Sequence, residues 1–245
     1  MDLSLSIFAL IGLLTGVIAA VVAFLVFQRE RGSRKKDQQA QDAAWQRFYD
    51  KMIALLNQGL VNAEVGSVIS LDARASTLQI LLVSDSNRKR RVVEFLYDMN
   101  LITGDQPKIS LAKAALNESD LSSATLDNVN LGGAFLNGAK LSRTSLKNAN
   151  LEEAALTKAN LNRAILSGAN LKGADLRSAN LSGINATQAQ FSRSTLGSAE
   201  FSGADLRDAD FSGAFMAGAV GLTNEALERA GSLKGAILPD GSEKP

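Results

Sequence analysis

The chain contains neither His nor Cys, and that removes much of the chemistry side chains can perform. Without imidazole there is no serine–histidine triad, no histidine metal site and no imidazole general base. Without thiol there is no thiolate nucleophile and no disulfide. No Walker loop and no glycine-rich dinucleotide fingerprint occurs. No catalytic, cofactor-binding or metal-binding residue is therefore assigned, and an enzyme is not expected. What remains is charge: 26 Lys plus Arg against 25 Asp plus Glu. One dense cluster stands out, Arg88-Lys89-Arg90-Arg91. Four adjacent cations on a helix can meet anionic lipid head groups or an acidic partner. The plainer alternative is a solvated helix face.

The element that positions most other charges is a repeat. In steps of five from Leu111 to Met216 there are 22 positions, and 17 of them are Leu. The others are Phe191, Phe201, Phe211, Met216 and Ala186. Two residues before each, from Ala114 to Ala214, Ala fills 16 of 21 positions, the exceptions being Ser119, Val129, Thr144, Ile184 and Ser194. The residue between them is often Asn or Asp, as at Asn150, Asn170 and Asp205. A period of five matches neither a helix nor a plain strand. Sustained over about a hundred residues, it indicates a solenoid whose units bury apolar residues against their neighbours.

Units such as Ala149-Asn150-Leu151-Glu152-Glu153 and Ala204-Asp205-Leu206-Arg207-Asp208 resemble the A-(D/N)-L-x-x consensus of pentapeptide repeat proteins. The resemblance runs over residues 109–219 without a break in phase. It implies a mainly β fold, a right-handed quadrilateral β-helix with four pentapeptides per square coil and the Leu and Ala positions inward. It implies no single activity, since the fold is a scaffold. On such a square, residues 20 apart stack at about 4.8 Å. Phe191 and Phe211 then share a column, and Asn130, Asn150, Asn170, Gln190 and Asp210 form an amide ladder closed by an acid. Ile184 and Ala186 form a swapped large–small pair that roughly conserves volume.

From Leu3 to Phe27 there are 25 residues without a charge, more than the ~20 that span a bilayer as a helix. Only Asp2 precedes them, and Arg29, Arg31, Arg34, Lys35 and Lys36 follow. This pattern favours an uncleaved anchor over a signal peptide. The positive-inside rule then puts the N-terminus outside or in a lumen and the repeats in the cytoplasm. Gly12, Gly16 and Ala20 form a small-residue series suited to packing of this helix on another, which makes homo-oligomerisation through it an expectation.

Residues 37–102 read as helical. Trp45, Phe48, Tyr49, Met52, Leu55 and Leu56 fall on one helix face, and Leu71, Ala75, Leu78 and Leu82 repeat the spacing. Asp85, Ser86 and Asn87 are N-cap types before Val92, Val93, Phe95, Leu96 and Tyr97. The stretches 72–78 and 91–97 resemble the helical module ahead of the repeats in membrane-anchored bacterial proteins of this type, many of them cyanobacterial; that likeness implies an inner or thylakoid membrane. Thr223 precedes a short helix that suits a C-terminal cap, because an open coil edge invites pairing with another chain. The expected organisation is a transmembrane anchor (1–28), a linker and α-helical module (29–105), the repeat β-helix (106–220) and a capping helix with tail (221–245).

Three functional readings follow: a membrane-tethered protein–protein interaction scaffold with an unidentified protein partner, a DNA-mimicking rod that binds topoisomerase as some members of the resembled family do, and a lipid-surface module acting through the basic helix. Charge bears on the second. Residues 111–216 hold ten Lys plus Arg and ten Asp plus Glu, whereas a DNA mimic needs a dense negative stripe to replace a phosphate every ~1.7 Å. Direct nucleic-acid binding is not expected either, because the basic residues are interleaved with acids. For the scaffold, the apolar residues at outward positions are the candidate partner face: Phe135, Ala155, Ile165 and Phe215, with Ala115 and Val220 at the ends. Burial of these residues under the helical module or the C-terminal cap is the competing expectation.

Overall fold

The computed structural model describes residues 37–104 and 106–245. The chain divides into two compact units, residues 1–47 and 48–245. In the first, residues 37–47 are helical. The second begins with helix α1, residues 48–57, continues through a short 3-10 turn at Leu60–Asn62 to α2 (Val68–Val83) and α3 (Ser86–Asp98), and then enters the repeats. A last helix, α4 (Asn224–Glu228), lies near the C-terminus.

Each helix starts where its residues allow. Ser67 caps α2 by accepting from the Ser70 N–H, Asp85 caps α3 by accepting from Arg88 N, and Thr223 caps α4 by accepting from Ala226 N. The module's core consists of Phe48, Met52, Leu55, Leu60, Ala73, Ile80, Leu81, Val92, Val93 and Leu96, all buried. Phe95 meets Phe48 edge to face at 6.4 Å. The face of α2 that carries Leu71, Ala75, Leu78 and Leu82 is not the face that packs. Its buried side carries Ser70, Ala73, Thr77, Ile80 and Leu81, while Leu71 and Leu82 are 54% and 71% exposed.

Asn100 takes a left-handed conformation (φ 54°) and ends α3, and Ile109 N–H donating to the Leu101 carbonyl leads the chain into the first coil. From there every bridge between Ala115 and Val220 joins residues 20 apart, in parallel. One turn of the coil is therefore four pentapeptides. The Leu and Ala of the units are buried in its interior, with Ala204 half-buried as the exception. Phe191 and Phe211 stack with ring centroids 4.9 Å apart and planes 3° from parallel, and the swapped Ile184 and Ala186 are both buried. The polar exceptions are satisfied: the Ser119, Thr144 and Ser194 hydroxyls donate to the carbonyls of Leu116, Leu121 and Phe191 at 2.7 Å. The amide ladder exists from Asn170 to Asn150 (3.3 Å) and from Asn150 to Asn130 (3.2 Å).

The preference for Asn or Asp has a second cause. Asn150, Asn160, Asn170, Asp175, Asn180 and Asp205 each accept the backbone N–H two residues on, a local turn bond. These bonds favour the ionised acids. The carboxyls of Asp175 and Asp205 are held below the usual range chiefly by hydrogen bonds from Arg177 and Arg207, and that of Asp120 by those from Ser122. A depressed folded-state value contributes stability that is present above the unfolded carboxylate value of ~4 and is lost as pH falls through the folded value. Thermal melts of the rod should therefore change little between about pH 7 and 5 and should fall in temperature below about pH 4. A melting temperature that rises into acid, or one that already drops near pH 6, would contradict this assignment.

The C-terminal end departs from the regular coil. After Val220, α4 replaces one side, and the columns resume at Ser232 and Ile237, each 22 residues after its partner Asp210 or Phe215. Two glycines make the detour feasible. Gly221 has φ +76° and a Cβ there would lie 2.4 Å from Ser202 N, while a Cβ on Gly231 would lie 2.9 Å from the Asp208 carbonyl oxygen. The last segment folds back, Ile237 pairing antiparallel with Glu243.

One expectation is corrected. Among the described residues no helix is long and apolar enough to cross a membrane; α2 and α3 have 16 and 13 residues, short of the ~20 a bilayer needs. The described fold is thus a β-helix with a small helical module and a short C-terminal helix, without the expected transmembrane helix. The expected single-pass localisation, with cytoplasmic repeats, an outer or lumenal N-terminus and an inner or thylakoid membrane, falls with it. The segment Leu3–Phe27, with Gly12, Gly16 and Ala20, lies outside the described residues.

Candidate functional site

Two surfaces are built from the residues singled out by sequence. The first is the N-terminal edge of the coil, where the basic cluster sits. Lys89 Nζ donates to the Asn117 carbonyl (2.9 Å) and Arg90 Nη1 to the Ser122 carbonyl (3.0 Å). Arg74, on α2, donates through Nε to Ser110 and through Nη2 to Ala112, both at 3.2 Å. The Ser86 hydroxyl accepts the N–H of Asp120. One coil later the equivalent carbonyls of Gly132, Asn137 and Ser142 accept N–H groups of Lys113, Glu118 and Ser123. Side chains of α2 and α3 thus stand where the backbone of a preceding coil would be. Burial against this edge pulls the Lys89 ammonium below its usual value, with the Glu118 carboxylate pulling the other way. Arg88 pairs with Asp85, and Arg90 also binds Glu94 at 2.7 Å. Arg91 is exposed.

Arg74 and Ser86 were not legible as cap residues, because nothing in their local spacing marks them. The signal available was indirect: a solenoid that begins at residue 109 must leave a row of carbonyl acceptors open to whatever donors lie upstream.

The second surface is the side of the rod. Phe135 is bridged to Ala115 and Ala155, and the same column continues through Asp175 and Thr195 to Phe215 and Ile237. Phe135 is 48% exposed and Phe215 47%, so neither the helical module nor the C-terminal segment buries them. They lie four coils apart on one face, about 19 Å. The Phe215 ring lies along the rod, its Cε1 3.7 Å from where a Cβ on Gly197 would be. Ile165 belongs to a different column, between Ser145 and Asn185, and is partly covered. Several rod charges pair locally: Asp175 with Arg177 and Asp205 with Arg207 at 2.6 Å, and Asp120 with Lys140 at 3.8 Å. A shallow groove lined by Glu152, Lys172, Ser192, Arg193 and Asp210 is polar and open. Among the described residues no group of carboxylates is arranged to hold a metal ion.

The family model for pentapeptide repeats matches residues 109–143, 144–183 and 185–220, in eight copies. Among solved structures, HetL, a pentapeptide repeat protein involved in heterocyst differentiation regulation from the cyanobacterium Nostoc sp. strain PCC 7120, is 34% identical over 56% of this chain and 79% of its own, with a TM-score of 0.31. A pentapeptide repeat protein of the Arabidopsis thaliana thylakoid lumen is 32% identical over 40% of this chain and 65% of its own, with a TM-score of 0.21. Rfr23 from the cyanobacterium Cyanothece 51142 is 24% identical over 39% of this chain and 85% of its own, with a TM-score of 0.26. Comparison with functionally curated proteins gives no match.

Proposed function

The chain belongs to the pentapeptide repeat family, and on that premise we propose that it acts as a protein–protein interaction scaffold, binding a partner protein along the rod face that carries Phe135, Ala155 and Phe215. The observation behind this reading is the exposure of two aromatic rings, 48% and 47%, on one column of a rigid and otherwise largely polar surface. Exposed aromatics are costly to leave in water and are the side chains that anchor interfaces. With no His and no Cys in the chain, binding rather than bond-making supplies the function. A regular β-helix serves binding well because its surface is preorganised, so little ordering cost opposes association. Charge argues against a DNA-mimicking rod, since ten acids and ten bases are mixed over residues 111–216 and three of the acids are paired within the rod.

Affinity capture with the full chain from its native source, partners being identified by mass spectrometry, tests the reading. The paired substitution Phe135→Asp with Phe215→Asp should leave the far-UV spectrum and melting curve close to those of the parent, because both rings are outward. It should reduce partner yield by about tenfold or more, the effect of removing anchor residues from an interface. The same partners in the same yield from the doubly substituted chain would refute binding through this face.

A further inference from the structure

We infer that helix α2 is a self-association surface through which two copies of this chain pair in antiparallel fashion. Val68, Leu71, Ala75, Leu78 and Leu82 follow one another at steps of three, four, three and four residues. That spacing lines one face of the helix and suits packing against another helix. The stripe lies away from the side of α2 that packs in the module core: Val68, Leu71 and Leu82 are 83%, 54% and 71% exposed, Ala75 is exposed and Leu78 half-buried. A helix that is apolar on both sides is one that is covered on both sides. Helix α3 shows the contrast, since its exposed residues are Asn87, Arg91 and Asp98 while Val92, Val93 and Leu96 are buried.

The choice of a second copy rests on three features. First, the stripe is complementary to itself. Run antiparallel, Leu71 meets Leu82 of the second copy and Ala75 meets Leu78, and the twofold axis repeats both pairs. A small residue then faces a large one at the two central layers, which is how close-packed seams interdigitate. Second, the flanking charges are already engaged: Asp72 is paired with Lys51 and Arg74 with the Ser110 and Ala112 carbonyls. No charge is left beside the seam to select an acidic or a basic helix. Third, the area suffices. The five stripe residues leave roughly 500 Å² exposed per copy and about 1,000 Å² in the pair, the lower limit of a specific interface. The association is therefore weak to moderate and insensitive to salt.

Sedimentation equilibrium of the full chain across the micromolar range reads the association directly. A concentration-dependent dimer is expected. Leu71→Glu with Leu82→Glu should weaken it at least about a hundredfold without moving the far-UV spectrum, or the melting temperature at concentrations where the parent is monomeric, both side chains being exposed. As the chain has no cysteine, the variant Leu71→Cys with Leu82→Cys should join two copies through a disulfide under mild oxidation. A chain that stays monomeric at every concentration, a dimer that survives the paired Glu substitutions, or no cross-link in the cysteine variant overturns the proposal. If a helix of another protein occupies the seam instead, the first of these is the result.

Discussion

Leu151→Asp should unfold the middle of the β-helix, while Asn160→Ser, nine residues away, should barely register. Leu151 is fully buried, and Leu131 and Leu171, its equivalents one coil before and after, are equally enclosed. The Asp would place a carboxylate among apolar side chains with no cation within the column, at a cost of several kcal/mol even if it takes up a proton. Coil interiors relax little, because each coil is tied to both neighbours by backbone bonds such as Leu151 N–H to the Asn170 carbonyl at 2.7 Å. Asn160 is exposed and its side chain only accepts the Asn162 N–H at 3.1 Å. Ser can make a weaker version of that turn bond, so the loss should stay within about 1 kcal/mol. Chemical denaturation of both variants against the parent measures the contrast. Equal losses would mean that position 151 is not interior and that the 20-residue register is wrong.

That register was legible in the sequence for a physical reason. A solenoid repeats one local environment, so each inward site applies the same selection of size and polarity many times over. The column positions of Phe191 and Phe211, the swap of Ile184 with Ala186 and the Asn130–Asn150–Asn170 ladder all follow once residues 20 apart are stacked. The corners were less visible. The third residue of the turn sits in the left-handed region at non-glycine positions such as Lys113, Glu153 and Arg163, with φ between 55° and 62°. Glycine, the usual marker of that conformation, occupies only some of them, as at Gly133 and Gly173.

The helical module was harder to read because its residues answer to partners distant in sequence. The apolar spacing of Leu71, Ala75, Leu78 and Leu82 identifies a helix correctly, yet which face packs depends on what covers it. The inward side proved to be the one with Ala73, Thr77 and Ile80. Likewise the end of the coil continues past α4 to Ser232 and Ile237, and the two extra residues shift the phase so that a strict five-residue count stops at Val220. The candidate partner face was legible only in part. Position in the repeat sends Phe135 and Phe215 outward, but their exposure depends on how far the capping segments reach, and the spacing of the repeat carries no information about that.

Replacing Arg74 and Arg90 together by Met should loosen the first coil and leave the later ones intact. The two guanidinium groups make three hydrogen bonds to the Ser110, Ala112 and Ser122 carbonyls, which no preceding coil can reach. Met keeps much of the apolar stem and removes the donors, so the effect isolates hydrogen bonding from packing. Charge-assisted bonds of this kind contribute about 1.5–3 kcal/mol each when dry. This edge is partly open and water replaces some donors, which brings the expected total to about 3 kcal/mol. In a solenoid each coil touches only its neighbours, so the loss should stay local. Amide hydrogen exchange should therefore speed up at Lys113, Glu118 and Leu121, whose N–H groups bond to the next coil. Amides between residues 171 and 200 should keep their protection. Uniform acceleration along the rod would mean that the edge and the body unfold as one unit, and unchanged exchange at the first coil would mean that the arginines are not its cap.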